Sequence, residues 1–138
     1  MVKFMKRGRV VIVTQGRMAG CKAVVLESKE PTRKHKFQHC IVAGISKPPR
    51  RINKGMNRSQ IAKKSEMHTF LRVVNQTHLM PTRYKLNLKT KVNMSVKELH
   101  PKDGKRRELR NGIRRQFKRI YFKNAKPSTR WFFKKLYF

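Results

Sequence analysis

The chain has 138 residues, room for a single domain with a modest core, and 37 lysines and arginines against 6 acidic residues give it a formal charge of +31. A chain so lopsided repels itself unless a polyanion surrounds it, which points to nucleic acid, an anionic membrane surface or an acidic protein as partner. Its longest apolar runs (Val10 to Val13, Ala23 to Leu26, Cys40 to Ala43) fall far below the ~20 residues that span a bilayer, and Lys3, Lys6, Arg7 and Arg9 interrupt the start where a signal peptide needs an apolar block, so an intracellular, non-membrane protein is expected.

Residues 9–27 pattern as strand, turn and strand. Val10-Val11-Ile12-Val13 is β-branched throughout, as in a strand buried on both faces of a small barrel, and Ala23-Val24-Val25-Leu26 follows Gly16 and Gly20. Two glycines four residues apart predict a tight connection with left-handed backbone positions. A basic loop comes next, Glu30-Pro31-Thr32-Arg33-Lys34-His35-Lys36, and then a third strand over 37–43 that Gly44 ends. Pro48-Pro49 marks an edge or a turn. Residues 54–65 admit a short helix over 61–64 with Ser59 as its cap. Strand character returns at 70–74, Pro81 interrupts the next segment, and 84–88 alternates as a last half-buried strand would. Five or six short strands before residue 92 favour a small barrel and make the chain mainly β.

Beyond Val96 the period changes. Leu109, Ile113 and Phe117 recur at intervals of four, continued by Ile120 or Tyr121, which predicts an amphipathic helix over about 102–122. Its other faces carry Arg106, Arg107, Arg110, Arg114, Arg115, Lys118 and Arg119. Gly112 weakens the helix by ~1 kcal/mol relative to alanine, and the charged faces repel one another, so full order is expected only beside a polyanion. Residues 124–129 pattern as a loop. Trp131, Phe132, Phe133, Leu136, Tyr137 and Phe138 then crowd a terminus that must dock on something apolar, most simply the barrel. The expected division is a β unit at 1–92 and a helical extension at 93–138.

Groups for catalysis are sparse. Glu27, Glu30, Glu66, Glu98, Asp103 and Glu108 lie scattered among cations, and no phosphate-binding glycine loop, Gly-x-Ser-x-Gly elbow or His-Glu-x-x-His stretch is present. Cys21 and Cys40 suit reduced core side chains better than a disulfide. His35 and His39 have a finger-like spacing, but no Cys-x-x-Cys precedes them, and the neighbours His39 and Cys40 would face opposite sides of a strand. No catalytic residue, metal or cofactor is therefore expected.

Basic residues, by contrast, run the whole length: 7 in 1–30, 10 in 31–66, 6 in 67–100 and 14 in 101–138. Any one of them has the plain alternative of a solvated side chain. The excess does not, because solubility needs a net charge of only ~2 to 8 in a small domain. A reader of DNA sequence concentrates charge on one docking element; charge spread over loops, strands and helix suits a protein surrounded by folded RNA.

The hairpin Arg7-Gly8-Arg9-Val10-Val11-Ile12-Val13-Thr14-Gln15-Gly16-Arg17-Met18-Ala19-Gly20-Cys21-Lys22-Ala23-Val24-Val25 resembles a KOW motif, which occurs in ribosomal proteins and in transcription elongation factors. Further segments select among these: Lys3-Phe4-Met5-Lys6, Val42-Ala43-Gly44-Ile45 with Pro49-Arg50, Ile61-Ala62-Lys63-Lys64-Ser65, His78-Leu79-Met80-Pro81-Thr82-Arg83-Tyr84, and Trp131-Phe132-Phe133-Lys134-Lys135-Leu136. In this order they resemble the eukaryotic type of large-subunit ribosomal protein twenty-seven, which is unrelated to the bacterial protein of that number. Residues 95–126 match it only loosely. Arg7 stands where the family usually has proline, and Cys21 where a basic residue is common.

The resemblance implies an SH3-like barrel with a helical carboxy-terminal extension, embedded in rRNA of the cytosolic large subunit after nucleolar assembly. Neighbouring ribosomal proteins would be partners; a membrane, a small-molecule substrate and a homo-oligomer would not. The expected RNA contacts are Lys6, Arg7, Arg9, Arg17 and Lys22 around the hairpin, then Arg33, Lys34, Lys36, Arg50, Arg51, Lys54, Arg58, Lys63, Lys64 and Arg83 in loops, and Arg106, Arg107, Arg110 and Arg114 on the helix. An elongation or chromatin factor built on the same hairpin is the competing reading, although such proteins usually add domains and acidic segments that this chain lacks. An RNA-modifying enzyme is a third, and it would need a cofactor pocket.

Overall fold

The structure, a computed structural model, describes residues 4–33, 35–89, 104–123 and 127–137. Five strands, β1 (Arg9–Val13), β2 (Lys22–Lys29), β3 (His39–Lys47), β4 (His68–Asn75) and β5 (Leu79–Lys85), form one antiparallel sheet in the order β4-β3-β2-β1-β5. Helices α1 (Arg58–Lys64), α2 (Gly104–Lys123) and α3 (Pro127–Phe133) complete the described elements.

Side chains alternate across a strand, and here both faces are apolar because both are covered. Val10 of β1, Val24 and Leu26 of β2, and Ile41, Ala43 and Ile45 of β3 join a core with Ile113 and Phe117 of α2 and Phe132 and Phe133 of α3. Their neighbours Val11, Val13, Ala23, Val25, Cys40 and Val42 point the other way, into a second core with Met5, Phe70 and Leu79. The unbroken apolar runs of the sequence follow from this: a sheet with one wet face would have shown polar residues at every second position.

The β1–β2 connection is as its glycines predict, with Gly16 at φ +85° and Gly20 at φ +77°, a region that a Cβ disfavours. Val13 and Cys21 close it, the Val13 N–H donating to the Cys21 carbonyl at 3.0 Å.

Three expectations about the strands change. Gly44 does not end β3; it sits within it, paired to Ala23 and Phe70, because the Phe70 ring lies over the space a side chain would fill. Pro81 does not interrupt the last strand, which runs 79–85 rather than 84–88, since β5 is at the edge of the sheet, where a missing N–H need cost no ladder bond. The expected closed barrel is, in hydrogen bonding, an open sheet: β4 and β5 are its two ends and do not pair among the described residues. The 3-10 turn Gln76–His78 between them, entered with the Asn75 side chain accepting the Thr77 N–H, carries the chain from one end of the sheet to the other instead of folding it back as a hairpin.

Helix α1 begins at Arg58, one residue before the expected cap Ser59, with Asn57 preceding it. Helix α2 runs unbroken through Gly112 and buries Ile113 and Phe117. Part of the expected loop at 124–129 is helical, because α3 starts at Pro127, whose fixed φ suits a first helical turn. Lys34 and residues 90–103 and 124–126 lie outside the described residues, as do the expected contact at Lys34 and the acids Glu98 and Asp103.

Candidate nucleic-acid interface

Two basic side chains that the sequence would send outward are instead tied to backbone carbonyls, Lys22 buried and Arg106 half-buried. Lys22 opens β2 on the same face as Val24 and Leu26, the face that α2 and α3 cover, and it is 4% exposed. Its ammonium donates to the Trp131 carbonyl and, at 2.7 Å, to the Lys134 carbonyl, and stands 4.0 Å from the centroid of the Trp131 ring. Burial and the nearby Lys134 charge pull its pKa down to about 8. Arg106 donates to the Leu71 carbonyl of β4 at 2.9 Å, and burial, then Arg72 and Arg110, lower its pKa.

Arg9 and Arg114 are also engaged within the chain. Arg9 donates to the Thr82 carbonyl at 3.2 Å, and Arg114 pairs with Glu66 at 2.8 Å. That hydrogen bond, reinforced by His68, holds the exposed Glu66 carboxyl below the ordinary range. The sequence does carry a signal for Arg106: it lies seven residues before Ile113, on the buried stripe of α2. For Lys22 the signal is its register with Val24 and Leu26.

Of the remaining expected contacts, Lys64 is half-buried, and Lys6, Arg7, Arg17, Arg33, Lys36, Arg50, Arg51, Lys54, Arg58, Lys63, Arg83, Arg107 and Arg110 are exposed. They do not converge on one patch of sequence or one element. Arg17 lies in the hairpin turn, Arg33 and Lys36 belong to the β2–β3 loop, and Arg50 to Lys63 follow β3 through α1. Arg107 and Arg110 continue on α2 with Arg115, Lys118 and Arg119, cations outside the expected set that lie off the stripe of Ile113 and Phe117.

A second group joins Arg50 and Arg51 of that set to four cations outside it, Lys47, Arg130, Lys134 and Lys135. The Pro48–Arg51 segment, tied to α1 by the Arg50 N–H donating to the Lys64 carbonyl at 2.8 Å, faces α3 and the residues after it across a groove of about 960 Å³. Lys47, Arg50 and Arg51 stand on one side; Arg130, Lys134 and Lys135 stand on the other, and Tyr121 and Tyr137 also line it. No described residue lining the groove is acidic. In the sequence, the aromatic crowd around Arg130, Lys134 and Lys135 suggests packing alone and hides these cations.

Neither cysteine is suited to nucleophilic chemistry. Burial pushes the thiols of Cys21 and Cys40 up, away from the thiolate a nucleophile needs. No group of three or more His, Cys, Asp or Glu side chains among the described residues could hold a metal. No described helix is long and apolar enough to cross a membrane.

Residues 10–138 match the Ribosomal L27e protein family, a span that takes in the stretch 95–126 where the sequence resemblance is loose. Large ribosomal subunit protein eL27 of Candida albicans is 36% identical to the chain, that of Tetrahymena thermophila 38%, and that of Pisum sativum 42%, each alignment covering 100% of both proteins. With the match running through sheet, helices and aromatic terminus alike, the chain belongs to the Ribosomal L27e protein family, whose members are ribosomal structural proteins of the large subunit and not enzymes.

Proposed function

We propose that the protein is a structural constituent of the cytosolic large ribosomal subunit that binds and stabilises folded rRNA through distributed lysine and arginine contacts. The observation that carries this is the spread of exposed cations over hairpin, loops and helices with few acids to neutralise them. The names of the relatives support the subunit. Lys6, Arg7, Arg17, Arg33, Lys34, Lys36, Arg50, Arg51, Lys54, Arg58, Lys63, Lys64, Arg83, Arg107 and Arg110 are the contacts we assign, whereas Lys22, Arg9, Arg106 and Arg114 act first as internal ties. The β unit at 1–92 positions the loops, and the extension at 93–138 supplies the basic helix.

The strand order, with a 3-10 turn joining the two end strands, supports an SH3-like barrel left partly open, carrying a KOW hairpin at its start. Assembly with rRNA in the nucleolus and contact with neighbouring ribosomal proteins follow from the same reading. Sedimentation of cell extract through a sucrose gradient tests it: the protein should travel with large subunits and with whole ribosomes. Comigration with polymerase and absence from ribosomal fractions would favour an elongation factor instead.

A further inference from the structure

We infer that the groove between the Pro48–Arg51 segment and α3 is a site for an unpaired stretch of RNA. The inference rests on the rRNA-binding reading and adds which form of RNA this site takes.

Charge alone would attract any nucleic acid; shape and aromatic content narrow the choice. The groove is concave, about 960 Å³, and walled by six cations. A base-paired A-form helix is convex and presents its phosphates on the outside, so it can lie across such a mouth but cannot enter it. An unpaired segment can enter, with its backbone against the cations and a base turned onto an aromatic face. Tyr137 offers that face: it is 88% exposed at the groove, whereas Phe132 and Phe133 nearby in the chain are buried. An aromatic ring left in water beside Lys134 and Lys135 is poor packing and a good stacking platform.

Two features hold the walls in place before any ligand arrives. Pro48 and Pro49 stiffen the backbone that presents Arg50 and Arg51, and the bond from Arg50 N–H to the Lys64 carbonyl fixes it to α1. On the other side, the carbonyls at the end of α3 form the negative end of the helix, which left uncompensated would repel phosphate. Lys22 engages the carbonyls of Trp131 and Lys134 there. The buried lysine thereby offsets a negative end that would otherwise oppose the ligand, and Arg130, Lys134 and Lys135 remain to attract it.

The test uses the full chain and two labelled RNAs with equal numbers of phosphates, one an unpaired uridine-rich strand and one a closed stem. Tyr137→Ala should weaken binding of the unpaired strand by about five-fold or more while changing the stem by less than two-fold, and Tyr137→Phe should restore it. The double variant R51Q/R130Q should reduce the salt slope for the unpaired strand by about 1.4, at ~0.7 for each phosphate no longer neutralised, with thermal unfolding unchanged. Equal losses on both RNAs, or no loss on either, would overturn the inference and leave the rRNA-binding reading standing. Failure of the unaltered protein to bind either RNA at low salt would overturn both. A groove that takes a protein segment instead would show as the second outcome, RNA binding indifferent to these variants.

Discussion

The Lys22 ammonium rests 4.0 Å from the centre of the Trp131 indole, and Tyr84 packs on the same ring with its centroid 4.7 Å away. The Arg83 guanidinium stands 5.3 Å from the Tyr84 ring, so cation, aromatic, aromatic and cation follow one another from the surface inward. This ladder joins β5, β2 and the carboxy-terminal helix, with Lys22 and Trp131 109 residues apart in sequence. Cations beside ring faces are attracted by the ring quadrupole, most strongly where water is excluded, as it is at Lys22.

Burial of that ammonium gives a pH dependence whose direction follows from the lysine's pKa. Folding lowers it to about 8 from an ordinary 10.5. Between these values the unfolded chain holds a proton the folded chain has released, so Lys22 contributes a rise in stability as pH climbs from about 8 to 10.5. Below about 8 the cost of burying the charge is fully present. Denaturant unfolding of wild type and Lys22→Met across this range should therefore show wild type gaining on the variant as pH rises, and the emission of Trp131, the single tryptophan, should titrate near pH 8. A constant difference between the two proteins would refute this role.

Docking of α2 and α3 on the sheet turns on Phe117, which is fully buried with Phe132 at 5.4 Å and Phe133 at 6.3 Å between ring centroids. Phe117→Ala should cost about 3–5 kcal/mol in urea unfolding. Phe122, on the same helix but 78% exposed, is the matched control, and Phe122→Ala should stay within about 0.5 kcal/mol of wild type.

Gly44 lets β3 approach β2 and Phe70 at once. A Cβ there would lie 2.6 Å from the Lys22 carbonyl oxygen, a backbone atom that cannot rotate aside. Gly44→Ala should destabilise by about 1–3 kcal/mol, whereas Gly55→Ala, where a Cβ meets nothing within 4 Å, should change stability by less than about 0.5 kcal/mol.

Helix α2 carries most of its charge on faces turned from the sheet, and we expect these faces to resist helix formation in the free protein. Circular dichroism at low salt should show helicity rising when rRNA or inorganic polyphosphate is added; full helicity beforehand would count against the idea. Gly112 sits mid-helix, and a methyl group added there meets nothing within 4 Å. Gly112→Ala should therefore add about 0.5–1 kcal/mol and recover part of that helicity without the polyanion.

Much of this protein is legible in local sequence. The β-branched runs, the paired glycines of the hairpin and the four-residue recurrence from Leu109 to Phe117 are short-range patterns, and each becomes the element it predicts. The glycine in β3 and the proline in β5 mislead because their ordinary meanings, a strand end and an interruption, depend on where in the sheet the strand lies. Neither the neighbour Phe70 nor the edge position of β5 is written next to them.

The sequence by itself determined the charge and the mainly β character with a helical extension, since these are sums or short-range periodicities. Only the tertiary structure decided which cations face outward. Arg106 is consumed by a carbonyl 35 residues away and Lys22 by one 112 residues away, and a hydrogen-bonding group's partner is fixed by the packing of elements, not by its own neighbours in the chain. The same packing drew Lys47, Arg50 and Arg51 opposite Arg130, Lys134 and Lys135, where no spacing along the sequence could have joined them.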